Sequence, residues 1–399
     1  MKRVGIIVEE SFIHKHVGVR SLIFSMYRAF ECTGNLVDFV LHTTNSNGLG
    51  KWRIISIGKQ AIDNNYANVD LFSEGSANKV LSDFHSNSFR SQDNLSSKPD
   101  CLYTMIGSNI NGHYDLLVLS APWVYGPYLE NILDPIYGIV YDMIPNQYVF
   151  ENKNGPLVFA AQHNLGYSFL NRKAKKILNI SEATKNNYLK WYPYVADKSV
   201  ILPPAVPNYL IDIKCDWIKD KKEETNIILA GPFDVRKGLK ALPSVLALLE
   251  NKVIIDNLFI YGQPRCTLIE VDAFFKKIMN LTCIKKITWF REICSDSLRN
   301  LYSRSKLLIF PSMNEGLGLP LIEAQLCGCK VAATNFESAL ELLLDGSFLL
   351  TDDDKINADN LVACLIDDCN YLQMAKNAQK YFLGSNLLSF CNQIAMESQ

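Results

Sequence analysis

Residues 306–333 read KLLIFPSMNEGLGLPLIEAQLCGCKVAA and form the most informative stretch of the sequence. An apolar run ends at Phe310, a loop with two glycines follows, and Pro320 stands where a helix would begin. Proline suits the first turn of a helix because that turn does not use its backbone N–H. A second apolar run, Lys330–Ala333, comes after the helix. Strand, helix and strand in this order predict a parallel sheet covered by helices.

The same alternation of apolar strands and helices runs through both halves of the chain. In the first half the predicted strands are Val4–Val8, Val37–Leu41, Leu116–Leu119, Gly138–Val140, Ile177–Ile180 and Val200–Leu202. Three prolines between 203 and 207 and the charged run Lys214–Glu224 break the pattern, which restarts with the strand Asn226–Ala230. The predicted class is therefore α/β, with two doubly wound, Rossmann-like domains that face each other across a cleft.

The predicted domain boundaries follow from these breaks. Residues 1–205 form an N-terminal domain, 206–224 a linker and 225–380 a C-terminal domain, and 381–399 form a helix that packs back on the first domain. An Asn- and Ser-rich stretch from about 42 to 101 is predicted to be an insertion on the rim of the first domain, with a weak strand pattern in Trp52–Ile57. A structureless loop of that length would be uncommon in a compact domain.

The composition is that of a packed globular protein that does not bind nucleic acid. Hydrophobic residues make up 48% of the 399 residues and charged residues 20%, a balance typical of folded domains. The 40 Lys and Arg are matched by 41 Asp and Glu, so no overall positive field exists to attract a phosphate backbone.

The eleven cysteines lack metal-ligand spacing, and we predict that they are reduced and buried. The first ten residues have the pattern of a strand and not of a secretory signal, and no run of 18 apolar residues occurs. We therefore expect a cytoplasmic protein. Attachment to the inner face of the membrane and assembly into a homo-oligomer both stay open.

The loop between Phe310 and the following helix has the chemistry of a site for a phosphorylated sugar. Gly316 and Gly318 let the backbone approach a ligand closely, and the amides at a helix start suit a diphosphate. Carboxylates repel phosphate, so Glu315 and Glu323 fit better as acceptors of hydrogen bonds from sugar and ribose hydroxyls. A simpler interpretation also stays open, in which Glu323 only favours the helix dipole.

Glu315 and Glu323 resemble the E-x7-E signature of the retaining GT-B glycosyltransferases of family 4. Four other stretches fit this family in the right order: Gly231–Gly238, Ile177–Thr184, Val140–Pro145 and Gly328–Ala333. The resemblance implies transfer of a sugar, with retention of its anomeric configuration, from a GDP- or UDP-type nucleotide sugar. The implied acceptor is a hydroxyl of a glycan or lipid-linked glycan, as in bacterial mannosyl- and rhamnosyltransferases of surface polysaccharide assembly.

The resemblance also implies roles for individual residues. Those it assigns to catalysis are Glu315, Asp142, Lys237 and Arg236. Those it assigns to the donor are Gly18, Arg236, Lys237, Phe290, Glu315, Gly316, Leu317, Gly318, Leu319 and Glu323. Those it assigns to the acceptor side are Tyr141, Asp142 and His163. Because the basic pair would neutralise the leaving diphosphate, no metal ion and no cofactor are expected. A simple turn at Gly18, and a turn or a helix cap at Asp142, stay open as alternatives.

Two departures from the family pattern leave other functions open. Tyr141 stands where many members have a histidine, and Pro232 stands where many have a second phosphate-binding arginine. A catalytically silent GT-B subunit that binds a partner protein or polymer is therefore an alternative. A nucleotide-sugar epimerase, which shares the fold, is a third possibility.

Overall fold

The computed structural model describes residues 1–9, 12, 17–44, 50–57, 62, 101–147, 149, 157–211, 213, 218–219, 221–231, 235–238, 241–264, 266–367, 369–384 and 387–397. These residues belong to two compact units. The first unit takes its described residues from 1–66, 99–208 and 385–399, and the second takes them from 209–384.

The first unit is built on an eight-stranded sheet with the strand order β4-β3-β2-β1-β5-β6-β7-β8. The strands are β1 Arg3–Ile7, β2 Leu36–Thr44, β3 Gly50–Ile57, β4 Cys101–Gly107, β5 Leu116–Leu119, β6 Ile136–Val140, β7 Lys176–Asn179 and β8 Ser199–Ile201. The longer helices are α1 Val17–Cys32, α2 Leu157–Lys173 and α3 Glu182–Trp191. Strands β1, β5 and β6 are almost fully buried, as continuous apolar runs in a sheet covered on both faces should be.

The prediction of a purely parallel sheet is wrong at one edge of the first unit. Strand β3 pairs antiparallel with β2, and β4 pairs antiparallel with β3. Strand β3 lies within the stretch predicted as an insertion and β4 begins where that stretch ends, so two antiparallel strands extend the sheet at this edge. Residues 58–61 and 63–100 of that stretch lie outside the described residues.

The second unit is built on a six-stranded sheet, all parallel, with the order β11-β10-β9-β12-β13-β14. Its strands are β9 Asn226–Ala230, β10 Asn257–Tyr261, β11 Ile287–Phe290, β12 Leu307–Phe310, β13 Lys330–Thr334 and β14 Phe348–Leu350. Its helices are α4 Leu242–Ala247, α5 Leu268–Ile278, α6 Ser295–Arg304, α7 Leu319–Leu326, α8 Glu337–Leu342, α9 Asp354–Ile366 and α10 Tyr371–Gly384. The prediction of two Rossmann-like α/β sheets is therefore confirmed.

The charged segment before β9 is less solvated than its composition suggests. Lys222 is 8% exposed, and its Nζ donates to the backbone carbonyls of Ser305 and Gly328. Burial lowers the pKa of this lysine to about 8. Carbonyls that follow α6 and α7 supply its acceptors, and a composition argument does not reveal such partners. A charged run would ordinarily be solvated, and Lys222 is an exception because other elements supply its partners.

The last described helix, α11 (Leu387–Met396), belongs to the first unit. It packs against α1, and the side chain of Glu397, which follows it, forms an ion pair with Lys176 at the start of β7. Three residues of α11 are completely or almost completely buried: Cys391, Ile394 and Ala395.

None of the cysteines with described side chains forms a disulfide. Six of them are buried, as expected, but Cys32 at the end of α1 is exposed, so the prediction of general burial is wrong there. Among the described helices, none has both the length and the apolar composition needed to cross a bilayer.

Candidate functional site

The strand order of the second unit places a crevice between β9 and β12. After β9 the chain proceeds outward to β10 and β11, and after β12 it proceeds in the other direction to β13 and β14. Ligands of doubly wound sheets bind beyond the carboxyl ends of the strands at such a switch point. The turn Val235–Lys237 follows β9, and the loop 311–318 follows β12. The two segments that the sequence singled out therefore lie at the same place.

The structure brings Lys237 and Glu315 into direct contact. Lys237 Nζ forms an ion pair with Glu315 Oε1, and Ser312 Oγ donates to the same oxygen at 2.6 Å. Lys237 Nζ also lies 4.6 Å from the centre of the Phe310 ring. Each of the two charged side chains is 17% exposed, so the pair is sheltered and still reached by solvent. A cation and a carboxylate held side by side suit a ligand with an anionic part and hydroxyl groups.

Backbone hydrogen bonds hold the loop that carries Glu315. Met313 N donates to the carbonyl of Arg236 at 2.7 Å, which ties the loop after β12 to the turn after β9. The hydroxyl of the buried Ser338 donates to the carbonyl of Glu315 at 3.2 Å. Arg236, which the resemblance assigns to the diphosphate, therefore also has a structural contact at the site. The sequence did not indicate Ser312, Met313 and Ser338 as site residues, because single residues of these types in a loop or a short helix have no distinctive pattern.

Gly238 is a second point of close contact between the two segments. Its φ of 62° lies in the left-handed region, and a Cβ at this position would lie 2.0 Å from the carbonyl oxygen of Pro311. Only glycine satisfies both conditions without movement of the backbone. Pro232, which departs from the family pattern, lies outside the described residues.

Helix α7 starts at the crevice directly after the loop. Its N-cap residue, Gly318, has a φ of 95° and no side chain to cap the helix, and Pro320 stands in the first turn. The positive end of the helix dipole therefore faces the loop that carries Glu315. The other loop residues assigned to the donor are Gly316 and Leu317, which are buried, and Leu319, which is half-buried.

Glu323 lies in α7 and is only 9% exposed. Tyr302 donates from its hydroxyl to Glu323 Oε2 at 3.3 Å, and the Tyr261 hydroxyl lies 2.6 Å from that of Tyr302. Burial raises the pKa of Glu323 to about 7, and the hydroxyls of Tyr209 and Tyr302, with Tyr209 the larger influence, oppose the rise. The sequence did not indicate Tyr261 and Tyr302 as site residues, because aromatic residues in a strand end and an amphipathic helix have the pattern of core residues.

Phe290 ends β11, which is separated from β9 by β10. It is half-buried, and its carbonyl accepts from Gly262 N at 2.9 Å. The adjacent Trp289 is a core residue that donates to the carbonyl of Gly262 at 3.1 Å. Phe290 therefore lies at the carboxyl edge of the sheet but not in the crevice that holds Lys237 and Glu315.

The residues assigned to the acceptor lie in the first unit. Tyr141 follows β6 and donates to the carbonyl of Ser120 at 2.9 Å, and burial raises the pKa of its hydroxyl. Asp142 Oδ1 accepts from Ile144 N at 3.0 Å, and the Asp142 carbonyl accepts from Tyr167 at 2.7 Å. The bond from Ile144 N forms a turn at Asp142, which is the turn alternative that the sequence left open, and the N-cap of the short helix that follows is Met143.

His163 and Gly18 also lie in the first unit. His163 is 3% exposed in α2, and its Nδ1 lies 2.8 Å from the carbonyl of Phe159, so Nδ1 carries a hydrogen. The ring of Trp123 lies 5.0 Å from the His163 ring. Gly18 was predicted in a loop, but it is the second residue of α1. The helix begins at Val17, so a loop or simple turn at Gly18 is wrong.

Among the described residues, no group of three or more His, Cys, Asp or Glu side chains is arranged to hold a metal ion.

Comparison with known proteins agrees with this geometry. Residues 215–381 match the family model described as glycosyl transferases group 1. The O-antigen chain mannosyltransferase RfbU of Salmonella typhimurium is 23% identical over 187 residues, which is 46% of this chain and 49% of the relative. The O-antigen chain mannosyltransferase B of Escherichia coli is 25% identical over 203 residues, 49% of this chain and 52% of the relative. The chain thus spans about half the length of these curated relatives.

A solved structure supports the architecture over the whole chain. Anabaena HepE, crystallised in complex with UDP-glucose, superposes with a TM-score of 0.62 at 15% identity. The superposition covers 100% of this chain and 99% of HepE. At this identity the likeness shows the fold alone. The family match thus covers residues 215–381, and the superposition shows that the chain has the GT-B fold.

Proposed function

We propose that the protein is a retaining glycosyltransferase that moves a sugar from a nucleotide diphosphate sugar to a hydroxyl of a glycan or lipid-linked glycan. The observation that supports this most is the contact of Lys237 with Glu315 at the switch point of the second sheet. The cation suits the diphosphate and the carboxylate suits the hydroxyls of the sugar. Both stand beside the start of α7, whose dipole favours an anion.

The proposed reaction breaks the bond between the anomeric carbon and the diphosphate oxygen. Negative charge then grows on the diphosphate, where Lys237, Arg236 and the amides at the start of α7 stabilise it. Glu315 orients the sugar, and the acceptor hydroxyl forms the new bond on the face that the diphosphate leaves. Its proton passes to a phosphate oxygen of the leaving group, so no protein base and no covalent intermediate are required.

The relatives suggest where to look for the donor and the acceptor. Two of them are named as mannosyltransferases of O-antigen chains, and the solved neighbour binds UDP-glucose. We propose a GDP- or UDP-linked hexose as the donor, with mannose first among the sugars, and a surface-polysaccharide chain as the acceptor.

A panel of nucleotide sugars tests the proposed function. Wild-type protein should hydrolyse one of them slowly without an acceptor, and released nucleotide diphosphate is the readout. GDP-mannose, UDP-glucose and UDP-N-acetylglucosamine cover the two nucleotide types. Interconversion of two sugars without release of nucleotide would indicate an epimerase. Binding without any turnover, with or without polysaccharide extract, would indicate a silent subunit.

We also expect transfer to survive the removal of divalent metal ions. Lys237, Arg236 and the amides at the start of α7 carry out the neutralisation that a cation provides in metal-dependent enzymes. The rate in excess EDTA should therefore stay within about a factor of two of the untreated rate. If EDTA stops turnover and manganese restores it, the proposed stabilisation of the diphosphate is wrong.

A further inference from the structure

A chain of buried hydroxyl groups ends on the Glu323 carboxylate. Tyr302 in α6 is completely buried and donates to Glu323 Oε2. The hydroxyl of Tyr261, at the end of β10, lies 2.6 Å from the Tyr302 hydroxyl. A hydroxyl has one hydrogen, and Tyr302 uses its own toward Glu323, so Tyr261 donates to Tyr302. The hydrogen bonds therefore all point toward the carboxylate.

The surroundings of Glu323 make these hydrogen-bonded hydroxyls important for the charge of its carboxylate. A buried ionised carboxylate is costly unless donors satisfy it. The titratable groups that face it are Tyr209, Tyr261, Tyr302 and Cys327, and the cations Lys222 and Arg299 act on Cys327. The described contacts of the carboxylate are thus with tyrosine hydroxyls. Tyr302 is the one for which a hydrogen-bond distance is established.

We propose that Tyr302, supported by Tyr261, is a positioning residue for the nucleotide sugar, because its hydrogen bond at Oε2 orients the Glu323 carboxylate for the ribose hydroxyls. The proposal rests on the proposed function, since it requires Glu323 to bind a donor. A carboxylate offers about four acceptor positions, so the bond at Oε2 leaves capacity for a ligand.

Loss of the Tyr302 hydroxyl should change how Glu323 ionises. Burial raises the pKa of Glu323 to about 7, and the hydroxyls of Tyr209 and, to a smaller extent, Tyr302 oppose this rise. Without the Tyr302 bond the pKa rises further, and at neutral pH more of the carboxyl is protonated. A protonated carboxyl accepts fewer hydrogen bonds from ribose, so donor binding should weaken most near neutrality and recover at higher pH.

Tyr302→Phe tests this because it keeps the ring and removes the hydroxyl. Calorimetry with GDP-mannose and UDP-glucose, below and above pH 7, should show the midpoint of donor affinity moving to higher pH. The loss of affinity at neutral pH should be roughly tenfold, as for a charge-assisted hydrogen bond. Turnover at saturating donor should change far less. Tyr261→Phe should shift the midpoint in the same direction by less, because its hydroxyl acts through Tyr302.

A matched control is Tyr188→Phe in the first unit, which removes a buried hydroxyl with a 2.7 Å bond to Asn171. It should leave the affinity and its pH dependence unchanged. A loss in Tyr302→Phe that is equal at every pH would mean a merely structural role and would overturn the proposal. If Tyr302→Phe does not fold, Tyr261→Phe decides: an unmoved midpoint there overturns the proposal as well.

A measurement without donor separates this proposal from the proposed function. Carbon-13 NMR of protein labelled at the Glu carboxyls follows the ionisation of Glu323, and the spectrum of Glu323→Gln assigns its signal. An unchanged Glu323 midpoint in Tyr302→Phe overturns the proposal. A midpoint that moves, in a protein that binds neither nucleotide sugar, supports the hydrogen-bond chain and contradicts the proposed donor function.

Discussion

Replacement of Glu315 by alanine should lower turnover by more than about a hundredfold, because misplacement of the reacting sugar alone has an effect of that order. The carboxylate stands in the loop after β12, where Lys237 and Ser312 hold one of its oxygens. In the proposed reaction it orients the sugar, so its loss affects the reacting carbon more than the nucleotide. Affinity for GDP and UDP should therefore stay within about tenfold of wild type.

The fold of Glu315→Ala should remain intact. The side chain is 17% exposed, and loss of one partner from such a sheltered pair costs about 1–3 kcal/mol, less than the usual stability of a folded domain. Turnover, nucleotide diphosphate binding and thermal unfolding are measured together, with the exposed Asp352→Ala as a control for removal of a carboxylate from the same unit. Normal turnover in Glu315→Ala would show that Glu315 does not orient the reacting sugar. Loss of folding together with turnover would show that its main role is structural.

Replacement of Gly238 by alanine should have the second largest effect, and it acts through the backbone. A left-handed φ costs an L-residue about 1–2 kcal/mol. The new Cβ would also lie 2.0 Å from the Pro311 carbonyl oxygen, so the turn after β9 must move away from the loop after β12. That movement separates Lys237 from Glu315. We expect donor affinity to fall more than about tenfold and the melting temperature to fall by several degrees.

Gly384→Ala is the matched control for this change. Gly384 ends α10 in the same unit, and a Cβ there would meet no described heavy atom within 4 Å. Alanine favours helix over glycine, so this variant should be as stable as wild type or slightly more stable. If Gly238→Ala binds donor and melts like Gly384→Ala, the close contact with Pro311 does not shape the site.

The sequence was sufficient to predict the crevice segment and most of both sheets, apart from the antiparallel edge of the first and β14 of the second. Apolar runs mark β1, β5, β9 and β12, because a strand covered on both faces has no polar positions to obscure the pattern. The glycines and Pro320 located the loop and the start of α7 for a similar reason, since backbone geometry restricts which residues fit there.

The contacts that shape the site could not be predicted in the same way. Ser338 in α8 donates to the carbonyl of Glu315, and Tyr302 in α6 donates to the Glu323 side chain in α7. Such partners are set by how elements pack, and a single sequence has no signal for them. Lys222 shows the same limit, because its burial depends on carbonyls that belong to other elements.

The placement of α11 in the first unit has a consequence during synthesis. Residues up to 208 leave the ribosome before roughly 180 further residues are translated, and only then does α11 emerge to cover its face of α1. At about 5–20 residues per second this delay is on the order of ten seconds or longer. The nascent first unit therefore waits with an uncovered apolar surface while the second unit folds, which makes it a natural client for chaperones.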